Sequence, residues 1–216
     1  MKLVIGDKNY SSWSMRPWVL MKHAGIPFDE VLVPLREPDT NARIREFAPS
    51  GKVPCLVTEN GQSIWETLAI LETLAERYPQ HAIWPRDAAA RAHARAISSE
   101  MHAGFGHLRS NMSMNIRAHR PGKGATPDTL ADIARIDAIW SECLAQYGGP
   151  FLFGEAFCAA DAMYAPVVSR FITYAPPLSE AARGYVERVS AVPAVREWFD
   201  DARRETHRLA ELDDDA

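Results

Sequence analysis

The sequence predicts an α/β segment followed by an all-α segment, and three features carry that reading. Residues 1 to about 78 alternate strand and helix signals. Within them, Asn60-Gly61 joins two short apolar runs, the strongest two-residue hairpin signal, because the favoured turn needs φ above zero at both central residues. From about residue 87 onward the apolar residues recur almost throughout at helical spacing.

Taken in order, Lys2 to Gly6 reads as a short buried strand. Ser14 to His23 reads as a helix with Ser14 as N-cap, Pro17 in its first turn and Gly25 as terminator. Phe28 to Leu35 is a second strand centred on Val31-Leu32-Val33. Two strands flanking a helix should be parallel, with a right-handed crossover. Thr40 can cap a short helix through Phe47, ended by Pro49-Ser50-Gly51. Cys55 to Thr58 and Gln62 to Ile64 form the hairpin, and a helix from about Glu66 to Tyr78 follows, with Leu68, Leu71, Leu74 and Ala75 as its apolar stripe.

Pro79 to Pro85 reads as a linker, with a proline at each end to stop a helix. Beyond it, helices are expected over about 87–111, 127–147, 159–171, 179–190 and 193–209. Asp213-Asp214-Asp215 should be a solvated acidic tail. The expected division is a mixed four-stranded domain over 1–78, a linker over 79–86 and a helical domain over 87–216.

Composition excludes several function classes. A chain of 216 residues can remove roughly 70% of its unfolded surface from water, so it needs no disulfide or metal staple. A net charge of −4 argues against nucleic-acid binding or a polybasic membrane role. Cys55, Cys143 and Cys158 are odd in number and widely spaced, without a C-x-x-C pair. They fit neither a disulfide framework nor a ribbon-type zinc site, and they suit a reducing cytoplasm. The apolar run Leu3 to Ile5 is far too short for a signal peptide, and no stretch approaches the ~18 apolar residues of a membrane span. The expectation is a soluble cytoplasmic protein with no metal, no nucleic-acid partner and no membrane partner.

Four stretches, in order along the whole chain, carry a resemblance. Ser11-Ser12-Trp13-Ser14-Met15-Arg16 looks like a serine-type activation loop, and Lys52-Val53-Pro54 like a loop whose cis-proline opens the third strand. Trp65-Glu66-Thr67-Leu68-Ala69-Ile70, then Leu74, is similar to a "Glu-Ser, Ala-Ile, Tyr-Leu" signature. Gly154 to Asp161 looks like a helix-capping segment. Together these resemble the cytosolic glutathione S-transferases of serine type, most like the zeta class. The resemblance implies an N-terminal thioredoxin-like βαβ-α-ββα domain and a C-terminal all-helical bundle domain. It implies a homodimeric transferase that binds glutathione as co-substrate, stabilises its thiolate and transfers it to a small hydrophobic electrophile, a detoxification chemistry. Two other readings stand beside it. One is a non-catalytic binding or interaction module of the same fold; the other is a glutathione-dependent isomerase or peroxidase.

On that resemblance Glu66 meets the γ-glutamyl amine, and Thr67 offers a hydroxyl and a backbone N–H at a helix N-terminus, where free donors favour a carboxylate. The same pair could merely complete a helix cap. Val53, ahead of a cis Pro54, pairs with the cysteinyl backbone as an added strand would, and Lys52 neutralises the glycine carboxylate. Tyr10 and Trp13 complete the expected binding set; the zeta pattern has a cysteine where this chain has Trp13. Three hydroxyls compete to activate the thiol, and the Ser-Ser run favours Ser11, with Ser12 second and Tyr10 behind. Arg16 either orients that loop or packs as a surface arginine over Trp18. Phe105, Leu108, Met112 and Met114, near a long helix at Met101 to Asn115, are acceptor-site candidates; methionine suits a promiscuous apolar surface. Cys158 and Asp161 have capping-box spacing, which assigns Asp161 a structural role.

Overall fold

The computed structural model describes residues 1–213. In chain order the first half contains β1 (Lys2–Ile5), α1 (Ser12–His23), β2 (Asp29–Leu32), α2 (Thr40–Arg45), β3 (Cys55–Val57), β4 (Ser63–Trp65) and α3 (Thr67–Arg77). The second half contains α4 (Ala88–Ala103), α5 (Gly106–Asn111), α6 (Pro127–Tyr147), α7 (Ala159–Tyr174), α8 (Glu180–Ala191), α9 (Pro193–Arg204) and α10 (Ala210–Asp213). The sheet order is β2-β1-β3-β4. β1 pairs parallel with β2 and antiparallel with β3, and β3 pairs antiparallel with β4.

The pleat of β1 assigns the two faces of the sheet. Leu3 and Ile5 point into the large core that runs on into the helical half, while Val4 joins Val33, Ile44, Ala48 and Cys55 under α2. α1 is buried along most of its length and packs on α3, α7 and α9. α7 is apolar on nearly every face, with Ala159, Ala160, Ala162 and Ala165 allowing close approach, and so becomes the central helix of the second half.

Several boundaries differ from the expected ones for identifiable reasons. β2 ends at Leu32, just ahead of Pro34, which has no N–H to donate to a ladder. α1 begins two residues early, so Ser14 is inside the helix, where its Oγ accepts from the Gly6 N–H at 3.1 Å. Thr40 is the first helical residue of α2 and not its cap; its hydroxyl accepts from the Glu37 N–H and donates to the Pro34 carbonyl. The long helix expected over 87–111 breaks at Gly104-Phe105, where Phe105 is left-handed at φ 60°. A Cβ on Gly104 would lie 2.9 Å from the Glu100 carbonyl, and the Asp132 carboxylate accepts from the Leu108 N–H in the new first turn. α9 stops at Arg204, five residues short of the expected end. Asp213 is not a solvated charge: its carboxylate accepts from the Tyr10 hydroxyl and from the Asn115 amide. Asp214 and Asp215 lie outside the described residues.

The start of α7 follows the capping-box expectation. Asp161 is fully buried and accepts from the Cys158 N–H at 2.9 Å, the Leu152 N–H at 3.0 Å and the Tyr185 hydroxyl at 2.8 Å. Three donors converge on one carboxylate from a loop, a helix start and α8. Asp161→Ala leaves all three unpaired, each hydrogen bond to a charged group contributing about 1.5–3 kcal/mol. The expected loss, after partial relaxation, is about 3–5 kcal/mol in denaturant unfolding. A loss below about 1 kcal/mol would show that water replaces the carboxylate.

Candidate functional site

An open cleft forms where the loop before β3, the first turns of α1 and α3, and the end of α4 converge. Trp13, Ser50, Lys52, Val53, Pro54, Glu66, Thr67 and His102 line it. Sequence reasoning had singled out all of these except Ser50 and His102.

The loop before β3 presents backbone. The Val53–Pro54 peptide is cis, and among the described residues no hydrogen bond engages the Val53 N–H or C=O. Lys52 is exposed at its rim. On the facing side, Glu66 turns the chain from β4 into α3 at φ 69° and ψ 127°, a left-handed setting that costs a non-glycine residue about 1–3 kcal/mol. That turn sends its carboxylate outward, 54% exposed, and leaves the first N–H groups of α3 without a side-chain cap. Thr67 is buried, its hydroxyl donating to the Trp13 carbonyl at 3.3 Å. The Thr67 side chain therefore ties α3 to α1, and its backbone N–H is the group left for a ligand.

His102 forms the α4 wall. Its ring meets Trp13 edge-on at 4.9 Å, Nε2 lies 3.7 Å from the Glu66 carboxylate, and Nδ1 is buried without a partner among the described residues. Burial lowers its pKa; Glu66 opposes that shift while Arg16 and Arg109 reinforce it, so the imidazole is neutral at pH 7. No pattern marked this residue, because a lone histidine on a helix flank carries no spacing signal.

Behind Trp13 stand three arginines. Arg16 is fully buried beneath the Trp13 ring, its Cζ 4.2 Å from the ring centre, and it does not pack on Trp18. Only its Nε has a partner, the Met163 carbonyl; both terminal nitrogens are buried without one among the described residues. Arg109 lies 4.7 Å from the same ring. Arg170, buried in α7, donates to the Met112 and Pro166 carbonyls. Burial, then the charges of Arg109 and Arg170, holds Arg16 well below its ordinary pKa; burial, then Arg109, pulls Arg170 down to about 9. Among the described residues no carboxylate pairs with any of the three.

Ser11 and Ser12 are buried at the start of α1, next to Trp13 but not on the cleft wall. The Ser11 and Ser14 hydroxyl oxygens are 2.7 Å apart. Tyr10 points elsewhere: its hydroxyl donates to Asp213 and accepts from Arg117 and the Leu209 N–H. Phe105, Leu108, Met112 and Met114 are closed into the core and do not reach the cleft. The break at Gly104-Phe105 turns that segment inward. Trp18 is also core, whereas Trp65 is exposed on β4. Cys55, Cys143 and Cys158 are free and buried.

A βαβ-α-ββα half with a cis-proline loop and an uncapped helix start, followed by a helical bundle, defines a two-domain protein of thioredoxin-like plus all-helical type. Residues 10–77 match the glutathione S-transferase N-terminal domain and residues 116–201 its C-terminal domain. The chain belongs to the glutathione S-transferase family. It is 28% identical over 161 residues to a protein of Caenorhabditis elegans named "Probable maleylacetoacetate isomerase", covering 73% of this chain and 72% of that one. Among solved structures, a glutathione transferase homologue from Burkholderia gl BGR1 with bound glutathione matches with a TM-score of 0.71 at 24% identity, over 94% of this chain and 98% of its own. A bacterial maleyl pyruvate isomerase of the zeta class matches with a TM-score of 0.73 at 20% identity, over 96% and 100%. These structural likenesses show the fold.

Proposed function

We propose that the cleft binds glutathione and that the enzyme adds its thiolate to an acidic electrophile. The observation that carries the first half is the pairing of an unengaged Val53 backbone with an uncapped α3 start across one cleft. Val53 takes the cysteinyl backbone, the α3 N–H groups take the γ-glutamyl carboxylate, Glu66 takes its amine and Lys52 meets the glycine carboxylate. The glutathione-bound relative supports the same ligand.

A free thiol titrates near 8.5, and the thiolate is the nucleophile. The N-terminus of α1 contributes about 0.3–1 kcal/mol toward a nearby anion. A hydroxyl donating to sulfur adds about 1.5–3 kcal/mol. Together these amount to roughly 1.5–3 pKa units. Ser11 is the donor in this reading, Ser12 the second candidate. Hydroxyl hydrogens rotate freely, so Ser14 can turn its own proton onto Ser11 and release the Ser11 proton to sulfur. The Gly6 N–H, Ser14 and Ser11 then form a chain in which each bond polarises the next. Tyr10 has no part in it.

The arginines behind Trp13 favour an anionic acceptor over the purely apolar one expected from sequence. Two fully buried guanidiniums, Arg16 and Arg170, and the half-buried Arg109, which only Asp132 attracts, leave two nitrogens of Arg16 unpaired and suit an electrophile that brings its own carboxylate. An unsaturated keto acid of the maleyl type fits, and two relatives carry maleyl substrates in their names. Addition of the thiolate to the double bond, rotation about the resulting single bond and expulsion of the thiolate would isomerise such an acid and regenerate glutathione. We also infer a cytoplasmic homodimer, supported by family membership and by free buried cysteines; light scattering that returns one 24.1 kDa particle at all concentrations would overturn the dimer.

The thiol is tested by the pH dependence of thiolate absorbance in the glutathione complex. Ser11→Ala should raise the bound-thiol pKa by about one unit or more with affinity nearly unchanged, and Ser14→Ala should raise it less. A shift confined to Ser12→Ala would move the donor to that residue. The acceptor is tested with Arg16→Met, retention on immobilised glutathione and turnover of a maleyl keto acid, a generic aryl halide and a hydroperoxide. Removing an unpaired buried charge should leave stability unchanged or raise it by up to about 2 kcal/mol. Retention should persist while keto-acid turnover falls about 100-fold and the aryl halide rate barely moves. Equal losses on both would remove the anionic acceptor, and retention without turnover of any acceptor would favour a non-catalytic module.

A further inference from the structure

After α9 the chain does not leave the molecule; residues 205–213 lie back across the loop that joins β1 to α1. Glu205 accepts from the Lys8 N–H at 2.6 Å and the Asn9 N–H at 2.9 Å. The Tyr10 hydroxyl takes the Leu209 N–H at 3.2 Å. Arg117 ties the two layers from below, donating to the Glu205 and His207 carbonyls and to the Tyr10 hydroxyl. The loop so held, residues 7–10, runs directly into Ser11 and Ser12.

His207 sits at the middle of this contact in an arrangement that favours its protonated form. Nδ1 is 2.7 Å from the buried Asp7 carboxylate, and Nε2 is 3.1 Å from Glu37. A neutral imidazole has one N–H; only imidazolium donates from both nitrogens. The other oxygen of Asp7 accepts from the Leu35 N–H at 2.7 Å, so Asp7 is anchored and His207 is the removable part. We propose that residues 205–213 form a strap that positions the Ser11–Ser12 loop, with protonated His207 as its latch between Asp7 and Glu37.

The other charges around the latch have their own partners. Glu205 lies on the strap, with burial raising its pKa and Asp7 adding to the rise. Arg36 beside Glu37 pairs with Glu211 of the strap, and Arg117 approaches from the loop after α5. For His207, burial opposes the charge, but hydrogen bonds and attraction from Asp7 and Glu37 overcome it and raise the pKa. The sign follows: a histidine with a raised native pKa contributes fully below its unfolded value of about 6.5. That contribution is lost as pH rises through the native value. The strap is closed in acid and opens in alkali.

The mechanical claim stands apart from the glutathione reading, while its catalytic consequence rests on it. Hydrogen exchange, corrected for intrinsic rates, is followed in peptides spanning 7–12 and 205–212 at about pH 6 and about pH 9, either side of the expected titration. Both peptides should lose protection together by about tenfold on going alkaline, the effect of one hydrogen bond to a charged group. His207→Gln should abolish the pH dependence, and Glu37→Gln, at an exposed carboxylate, should move the loss to lower pH. pH-independent protection in the wild type, or an unchanged profile in His207→Gln, would overturn the latch. Loosening of 205–212 with 7–12 still protected would overturn the positioning role. Bound-thiol pKa is read in the same variants. A strap that opens with no change there leaves the latch intact and removes Ser11 as the activator.

Discussion

The site depends on the confinement of α1, a helix with almost no free face. Leu3, Ile5 and α3 lie on one side of it, α7 and α9 on the other. Arg16 donates to the Met163 carbonyl inside α7, so a single side chain links the first helix of one half to the central helix of the other. Because α1 is buried between both halves, its N-terminus, with Ser11, Ser12 and Trp13, is set by the packing of both. Thr67 adds a direct bond from α3 to the Trp13 carbonyl, which joins the α3 side of the cleft to the start of α1.

That confinement also explains the buried charge. Arg16 lies one turn into α1 and faces inward, where the surroundings supply a carbonyl and an aromatic ring but no carboxylate. A guanidinium there costs up to about 2 kcal/mol against an apolar residue of similar volume. Arg109 and Arg170 raise the cost by placing more positive charge nearby. Trp13 offsets part of it through its ring face. Packing alone gives no use for this arrangement, whereas the acidic acceptor proposed above would. The strained backbone at Glu66 belongs to the same account: a glycine would relieve it, but only a residue with a carboxylate puts negative charge at that corner.

Features fixed by neighbouring residues were legible in the sequence; those fixed by distant ones were not. Asn60-Gly61 marked the hairpin, although its connection runs over residues 58–62 and φ is positive at Gly61 and not at Asn60; the loop around Pro54 and the Glu66–Thr67 pair were legible as cleft walls through the family resemblance. Asp161 was legible through the spacing to Cys158, though the Leu152 and Tyr185 donors that make it so deeply committed lie outside the motif. The helical period through Leu108 and Met112 continued smoothly past residue 104, so nothing local announced the break. It became visible only with Asp132, which comes from another helix to cap the new turn. His102 was invisible for the complementary reason: its neighbours on α4 are ordinary, and its role comes from Trp13 and Glu66 across the cleft.

Tyr10 makes the point most directly. As a sequence feature it is a hydroxyl one residue ahead of a serine pair, a reasonable competitor for the thiol. In the folded chain its oxygen is taken by Arg117, Leu209 and Asp213, all more than 100 positions away along the sequence. A phenol that already accepts two N–H groups and gives its proton to a carboxylate has nothing left to donate to sulfur. Burial and that carboxylate also raise its pKa, which removes the phenolate as an alternative. The contacts that engage Tyr10 come from Arg117 and from residues near the C-terminal end of the chain, so in the proposed chemistry the serine pair beside α1 is left as the source of the hydroxyl.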